Sequence, residues 1–198
     1  MKTKMNRYCV DIDDTLLDFV GTYILFHNPM YKTNLKKEDF KEYSFNYARK
    51  GTMKQAEDSV NLFYETPFFR EMKPFPNAME VIQKLKEKNE LFIVTSRPLK
   101  IQDKTFEWVS KYFPNIFSGI IFASNHYTKA KNSGKTKAEI CFDLNASLLI
   151  DDSLIYSQEC VAKGIESILL DSPWNQNGNI PGITRVENWK KIGELLLK

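Results

Sequence analysis

Tyr8-Cys9-Val10-Asp11-Ile12-Asp13-Asp14-Thr15-Leu16-Leu17 is the stretch on which the reading of this chain turns. Its first residues are an apolar strand candidate, and the strand runs directly into D-x-D-x-T. Side chains two apart on an extended segment project to the same side, so Asp11 and Asp13 can reach one site where the strand ends. Two carboxylates crowded together repel one another unless a cation is bound or one of them is protonated. A single Asp at that place would be read as a turn or cap residue. Three acidic residues within four positions, Asp11, Asp13 and Asp14, point instead to a site, and the chemistry they suit is metal-assisted phosphoryl transfer.

Two further segments repeat the form of an apolar strand ending in reactive oxygen atoms. Leu91-Phe92-Ile93-Val94-Thr95-Ser96-Arg97-Pro98 closes on hydroxyl residues, and a hydroxyl at a strand's C-terminal end can donate to a transferring phosphoryl oxygen. Thr95 is the residue expected in that role. Ala146-Ser147-Leu148-Leu149-Ile150-Asp151-Asp152-Ser153 closes on two carboxylates. Helix capping would account for one Asp there but hardly for two, and a hard cation such as Mg2+ takes oxygen ligands of this kind.

These three segments resemble motifs I, II and IV of the haloacid dehalogenase-like (HAD) superfamily, in its phosphatase branch because the second motif I carboxylate is present as Asp13. The resemblance implies an α/β fold, a Rossmann-like three-layer core around a central parallel sheet. It implies Asp11 as the nucleophile that accepts the phosphoryl group. Asp13 would act as acid to the leaving group and then as base to water, with Thr15 bracing the loop. Mg2+ would be held by Asp11, by Asp13 through its backbone carbonyl, directly by Asp152, and by Asp151 through a bound water. The motif III lysine has two candidates in Ser133-Gly134-Lys135-Thr136-Lys137. Lys137 is preferred over Lys135 because it opens the helical stretch that leads into the Asp151-Asp152 strand. Gly134-Lys135-Thr136 is not a P-loop, since that pattern requires Gly where Lys129 stands.

The 198 residues, 42% hydrophobic and 27% charged, suffice for one sizeable core with an insertion. No segment approaches a transmembrane span, so cytoplasmic residence is the expectation. A net charge of +3 arising from 23 Lys and 5 Arg suits a soluble surface better than nucleic-acid binding. Cys9, Cys141 and Cys160 are odd in number and sit in apolar or helical contexts, as reduced buried thiols would. His27 and His126 stand apart from any cysteine pair, which argues against zinc.

Strand and helix patterns alternate from Pro76 onward, the signature of a parallel sheet covered on both faces. A helix with Met79, Ile82 and Leu85 on one side precedes the Leu91 strand. A second helix presents Phe106, Val109 and Phe113. Gly119 to Phe122 reads as the third strand, Ser167 to Leu170 as the fifth, and Trp189, Ile192, Leu195 and Leu196 as a closing helix. In the HAD arrangement strand 1 is central, with strands 2 and 3 on one side and 4 and 5 on the other. The switch point, where ligands of open α/β sheets bind, then falls beside Asp11, Asp13, Asp151 and Asp152.

Residues 19–75 interrupt the alternation with aromatic-rich helical sequence and resemble a small HAD cap, leaving 1–18 and 76–198 as the core. Phe68-Phe69-Arg70 ahead of Pro74-Phe75-Pro76, together with Leu149 to Asp152, is similar to the 5'(3')-deoxyribonucleotidase-like group. The substrate implied is a phosphorylated small molecule, specifically a nucleoside (deoxy)monophosphate hydrolysed as by a 5'-nucleotidase. Phe19, Phe45, Phe69, Ser96 and Arg97 are the candidate substrate contacts. The alternatives are a sugar-phosphate phosphatase or phosphomutase on the same core, and a non-catalytic binding protein of the same fold. The stretch between strands 3 and 4 is longer than in the deoxyribonucleotidase-like group.

Overall fold

The computed structural model describes residues 5–41, 51–125, 134–176, 178 and 180–197. A six-stranded, wholly parallel sheet is its centre, in the order β3-β2-β1-β4-β5-β6. The strands are β1 (Asn6–Val10), β2 (Asn89–Thr95), β3 (Gly119–Phe122), β4 (Leu148–Asp151), β5 (Glu166–Leu170) and β6 (Ile183–Val186). The expected order of five strands is therefore found, with a sixth added at one edge. Ile183-Thr184-Arg185-Val186 is short and only half covered, so it lacks the apolar run that marks the inner strands.

Alternation along each strand divides the core between two faces. Val10, Ile93, Leu148, Ile150 and Ile168 face one way, against α4 (Ala78–Lys86), α5 (Gln102–Tyr112) and α8 (Trp189–Leu196). Cys9, Val94 and Leu149 face the other way, against α6 (Lys137–Asp143) and α7 (Leu154–Val161). All three cysteines are buried in this second cluster.

The helical stripes differ in detail from the sequence expectation. Met79, Phe106 and Leu195 are exposed. The buried positions are Ala78, Val81, Ile82 and Leu85 on α4, and Thr105, Trp108 and Val109 on α5. A helix wedged against a sheet on one side buries a stripe wider than one residue per turn, and its centre is set by the contact line.

Between β1 and α4 the chain makes α1 (Phe19–Tyr31), α2 (Met53–Phe63) and α3 (Pro67–Arg70). The two ends of this insertion lie side by side, because Phe75 N donates to Leu16 O at 2.8 Å and Leu17 bridges Pro74. Phe19, Phe63, Tyr64 and Phe69 pack edge-on or tilted at 5.0–6.5 Å between ring centroids. Edge-to-face contact of this kind adds to the hydrophobic burial of the rings. No helix among the described residues is long and apolar enough to cross a membrane.

Gly164, after α7, and Gly182, before β6, both have positive φ, +79° and +85°. An alanine at either position would carry left-handed strain of roughly 1–2 kcal/mol. At Gly164 the added methyl meets open space, whereas at Gly182 it would lie 2.9 Å from Val161 Cγ1. Gly182→Ala is therefore expected to lower the melting temperature clearly more than Gly164→Ala, by a further ~1–3 kcal/mol of overpacking. Equal losses in thermal melts of the two variants would show that Val161 yields without cost.

Candidate active site

The site forms where β1 and β4 end next to each other. Val10 pairs with Ile150, and Asp11 N donates to Ile150 O at 3.0 Å, so Asp11 and Asp151 emerge side by side. The motif I loop then coils around a single carbonyl. Thr15 N, Leu16 N and Leu17 N all lie within 3.3 Å of Ile12 O. Asp14 takes up φ 54°, and its carboxylate accepts from Val20 N at the start of α1. Trp189 Nε1 donates to Thr15 O at 2.7 Å, which ties the loop to the last helix.

A buried ammonium lies between the two strand ends. Lys137 Nζ is 2.7 Å from Asp151 Oδ2 and 2.9 Å from Asp11 Oδ1, and the lysine is wholly buried. Thr136 caps α6 and forms a capping box with Glu139, which makes Lys137 the first helical residue and sets its direction. Burial opposes the charge on this lysine, but Asp11 and Asp151 outweigh it and hold its pKa well above the ordinary value. Lys135, the other sequence candidate, is at the surface with Asp143. The ion pair to Asp11 Oδ1 does not have hydrogen-bond geometry, and that oxygen accepts no hydrogen bond among the described residues.

One carboxylate oxygen from each of Asp11, Asp151 and Asp152 lies within 4.8 Å of the others, and all three residues are buried. Burial, with smaller contributions from Asp151 and Asp13 and opposed by Lys137, pushes Asp11 up to about 7. Burial followed by Asp151, Asp14 and Asp11 raises Asp152 well above the usual carboxylate range. Such shifts record carboxylates held away from water first and crowded by one another second. The all-oxygen donor set and the excess of carboxylates over cations fit a hard divalent cation.

Arg97, a candidate substrate contact, sits beside Asp13. Its guanidinium binds Asp13 in a fork, at 2.6 Å and 2.9 Å, and Nη1 donates to Thr105 at 3.3 Å. Phe69 of the helical insertion lies over it, with the ring centroid 5.0 Å from Cζ. Thr95 is buried at the end of β2, where its hydroxyl accepts from Arg97 N at 3.3 Å. Ser96 donates to Tyr156 Oη at 3.2 Å, and the Tyr156 ring lies 4.5 Å from Lys137 Nζ. Of the aromatic candidates, Phe19 and Phe69 are in the core of the helical insertion, and Phe45 lies outside the described residues.

Two supports of the site, Trp174 and Lys37, carried no signal in the sequence. Trp174 Nε1 donates to Asp152 Oδ2 at 2.7 Å, and Thr15 Oγ1 approaches Asp152 Oδ1 at 3.4 Å. Lys37 reaches in from the insertion to Asp18 at 2.8 Å and Asp14 at 3.7 Å. Neither Trp174 nor Lys37 falls in a recognisable spacing, since Trp174 stands in a turn, Lys37 opens a short 3-10 helix, and each meets its partner only across the fold.

Comparison with known proteins agrees with this geometry. A nucleotidase of Clostridium acetobutylicum is 26% identical over 187 residues, covering 93% of this chain and 90% of that protein. Among solved structures, a haloacid dehalogenase-like hydrolase from Streptococcus pneumoniae superposes with a TM-score of 0.70 at 12% identity, covering 96% of this chain and 98% of the other. The Bacillus subtilis HAD-hydrolase YfnB, solved bound to magnesium, gives 0.65 at 17% identity, over 99% and 100% of the two chains. Residues 6–198 match the family described as 5' nucleotidase, deoxy (pyrimidine), cytosolic type C protein. With its parallel HAD-type sheet and its acidic site at the β1 and β4 ends, this chain belongs to that family and is a HAD-like phosphatase.

Proposed function

We propose that this protein is a Mg2+-dependent phosphatase of nucleoside monophosphates, deoxyribonucleotides among them, that works in the cytoplasm through an aspartyl-phosphate on Asp11. The observation that carries the reading is the buried Lys137 between Asp11 and Asp151, with Asp152 beside them and Asp13 held within the same loop. The substrate class rests on the family description and on the related nucleotidase. Residues 19–75 serve as the cap, which must supply selectivity because the core can grip only the phosphoryl group.

Asp11, Asp152 and the backbone carbonyl of Asp13 would hold the metal, with Asp151 reaching it through water. Bound Mg2+ offsets the repulsion between an anionic nucleophile and an anionic phosphate. An Asp11 carboxylate oxygen attacks phosphorus, and the bond from phosphorus to the ester oxygen breaks as the new one forms. Asp13 gives its proton to the departing nucleoside oxygen, then takes one from the water that attacks the phosphoenzyme. The bond from phosphorus to Asp11 breaks and phosphate leaves, which returns Asp11 to a carboxylate while Asp13 again carries the proton it began with. Lys137 balances charge on Asp11 throughout, and Thr95 donates its hydroxyl to a phosphoryl oxygen. The Arg97 fork fixes the direction of the Asp13 carboxylate.

Chelation should abolish turnover of nucleoside monophosphates and added Mg2+ should restore it; full activity after exhaustive metal removal would reject the reading. A clear preference for sugar phosphates in a substrate screen would move the assignment to that class and leave the core chemistry in place.

Protons and metal should also compete. With Asp11 pushed up to about 7, Mg2+ affinity measured by calorimetry should fall as pH drops below that value. The limit for one competing proton is about tenfold per pH unit. Stability follows the same sign. A carboxyl raised from 3.8 to about 7 stabilises the metal-free fold at low pH and loses that contribution as pH rises through about 7. The Mg2+-induced rise in melting temperature should therefore be larger at pH 8 than at pH 6.

The two motif I carboxylates should fail differently as amides. Asp11→Asn is expected to give no acid-stable or hydroxylamine-labile phosphoenzyme at all. Asp13→Asn should still capture phosphate, with both steps slowed by roughly two to four orders of magnitude. Rapid-quench trapping with labelled substrate distinguishes them, and near-normal rates in either variant would refute the roles.

A further inference from the structure

We infer that Trp174 is a positioning residue for the metal ligand Asp152, an assignment that rests on the metal site proposed above. The indole N–H donates to Asp152 Oδ2 at 2.7 Å while Thr15 approaches the other oxygen at 3.4 Å, so both ends of the carboxylate are gripped. Both donors are neutral. They fix the direction of Asp152 without cancelling its charge, in contrast to Asp151, whose charge is met by Lys137. Outer partners of this kind orient metal ligands in many sites, and their loss typically weakens binding about 10–100-fold.

The loop carrying Trp174 is built to hold it there. Asn175 Nδ2 donates to Asp152 O and to Leu170 O, each at 2.7 Å, and so ties the loop to the ends of β4 and β5. Arg185 of β6 holds Asn175 through both its side-chain and its backbone oxygens, and reaches Asp171 at 2.9 Å. The sixth strand thus acts as the outer buttress of a metal ligand. On the opposite side, Lys37 Nζ lies 5.6 Å from the Trp174 ring centroid, within the range of a cation–π contact. The insertion therefore touches the residue that aims Asp152.

Trp174→Phe keeps the ring and removes the donor. Calorimetric titration of the full chain with Mg2+ alone should show affinity weakened about tenfold or more relative to wild type. A purely structural role would instead lower the metal-free melting temperature and leave Mg2+ affinity unchanged, and that result would overturn the inference. A second measurement uses the wild-type protein and stands even if the variant fails to fold. In a 1H–15N spectrum the Trp174 indole resonance should shift on Mg2+ addition. The Trp108 indole, whose N–H donates to Met72 O at 2.7 Å, serves as the stationary control. A Trp174 resonance unmoved at saturating Mg2+ would overturn the inference while leaving the metal site intact. Absence of any Mg2+ binding by wild type would overturn the metal site itself, and the inference with it.

Discussion

The buried ammonium of Lys137 is the interaction on which this site depends. Parallel pairing of β1 with β4 forces Asp11 and Asp151 to leave the sheet side by side in a place closed to water. Two carboxylates so placed could not both remain charged without a cation, and the cost of burying them unpaired would be several kcal/mol each, on the order of the whole stability of a domain. Lys137 supplies that cation. Its own position is set by a local device, the Thr136–Glu139 capping box, which caps α6 at the residue just before it. A short-range signal at a helix end thus determines whether a long-range charge arrangement can exist.

Around this pair the protein distributes its remaining charges unevenly. Asp13 is matched by Arg97, and Asp14 by Lys37. Asp151 shares Lys137 with Asp11, while Asp152 is held by the N–H of an indole and the hydroxyl of a threonine. Burial is the main cause that raises the pKa values of Asp11, Asp14 and Asp152, and their acidic neighbours add to it, so the cluster is short of positive charge. A divalent cation is the natural complement of such a deficit, and neutral donors preserve it where a second lysine would remove it. The three indole N–H groups all act as braces at or near the core and insertion boundary, on Thr15, Met72 and Asp152.

Among the described residues the helical insertion meets the site through two cation–ring contacts. Arg97 lies beneath Phe69 and grips Asp13; Lys37 lies over Trp174 and Phe75 and reaches Asp14. Phe19, Phe63 and Phe69 are spent on one another, as they must be if a small helical layer is to have a core of its own. Any movement of this layer would pull on the groups that orient Asp13 and Asp152.

By itself the sequence determined the alternation of strands and helices, the parallel sheet and the acids at its strand ends. These features are local and periodic: apolar runs of four to seven residues that end in Asp11, Thr95 or Asp151 keep their meaning wherever they stand in space. The choice of Lys137 over Lys135 was local as well, since the helix start beside it turns one lysine inward, and tertiary structure supplied Asp11 and Asp151 as its partners. It alone gave Arg97 to Asp13, because their meeting depends on β1 and β2 being neighbours with loops of matching height. It decided likewise that β6 exists and that Trp174 aims Asp152. Those contacts join residues distant in the chain, and the energy that selects them comes from burial and charge pairing in the closed fold, which no spacing pattern records.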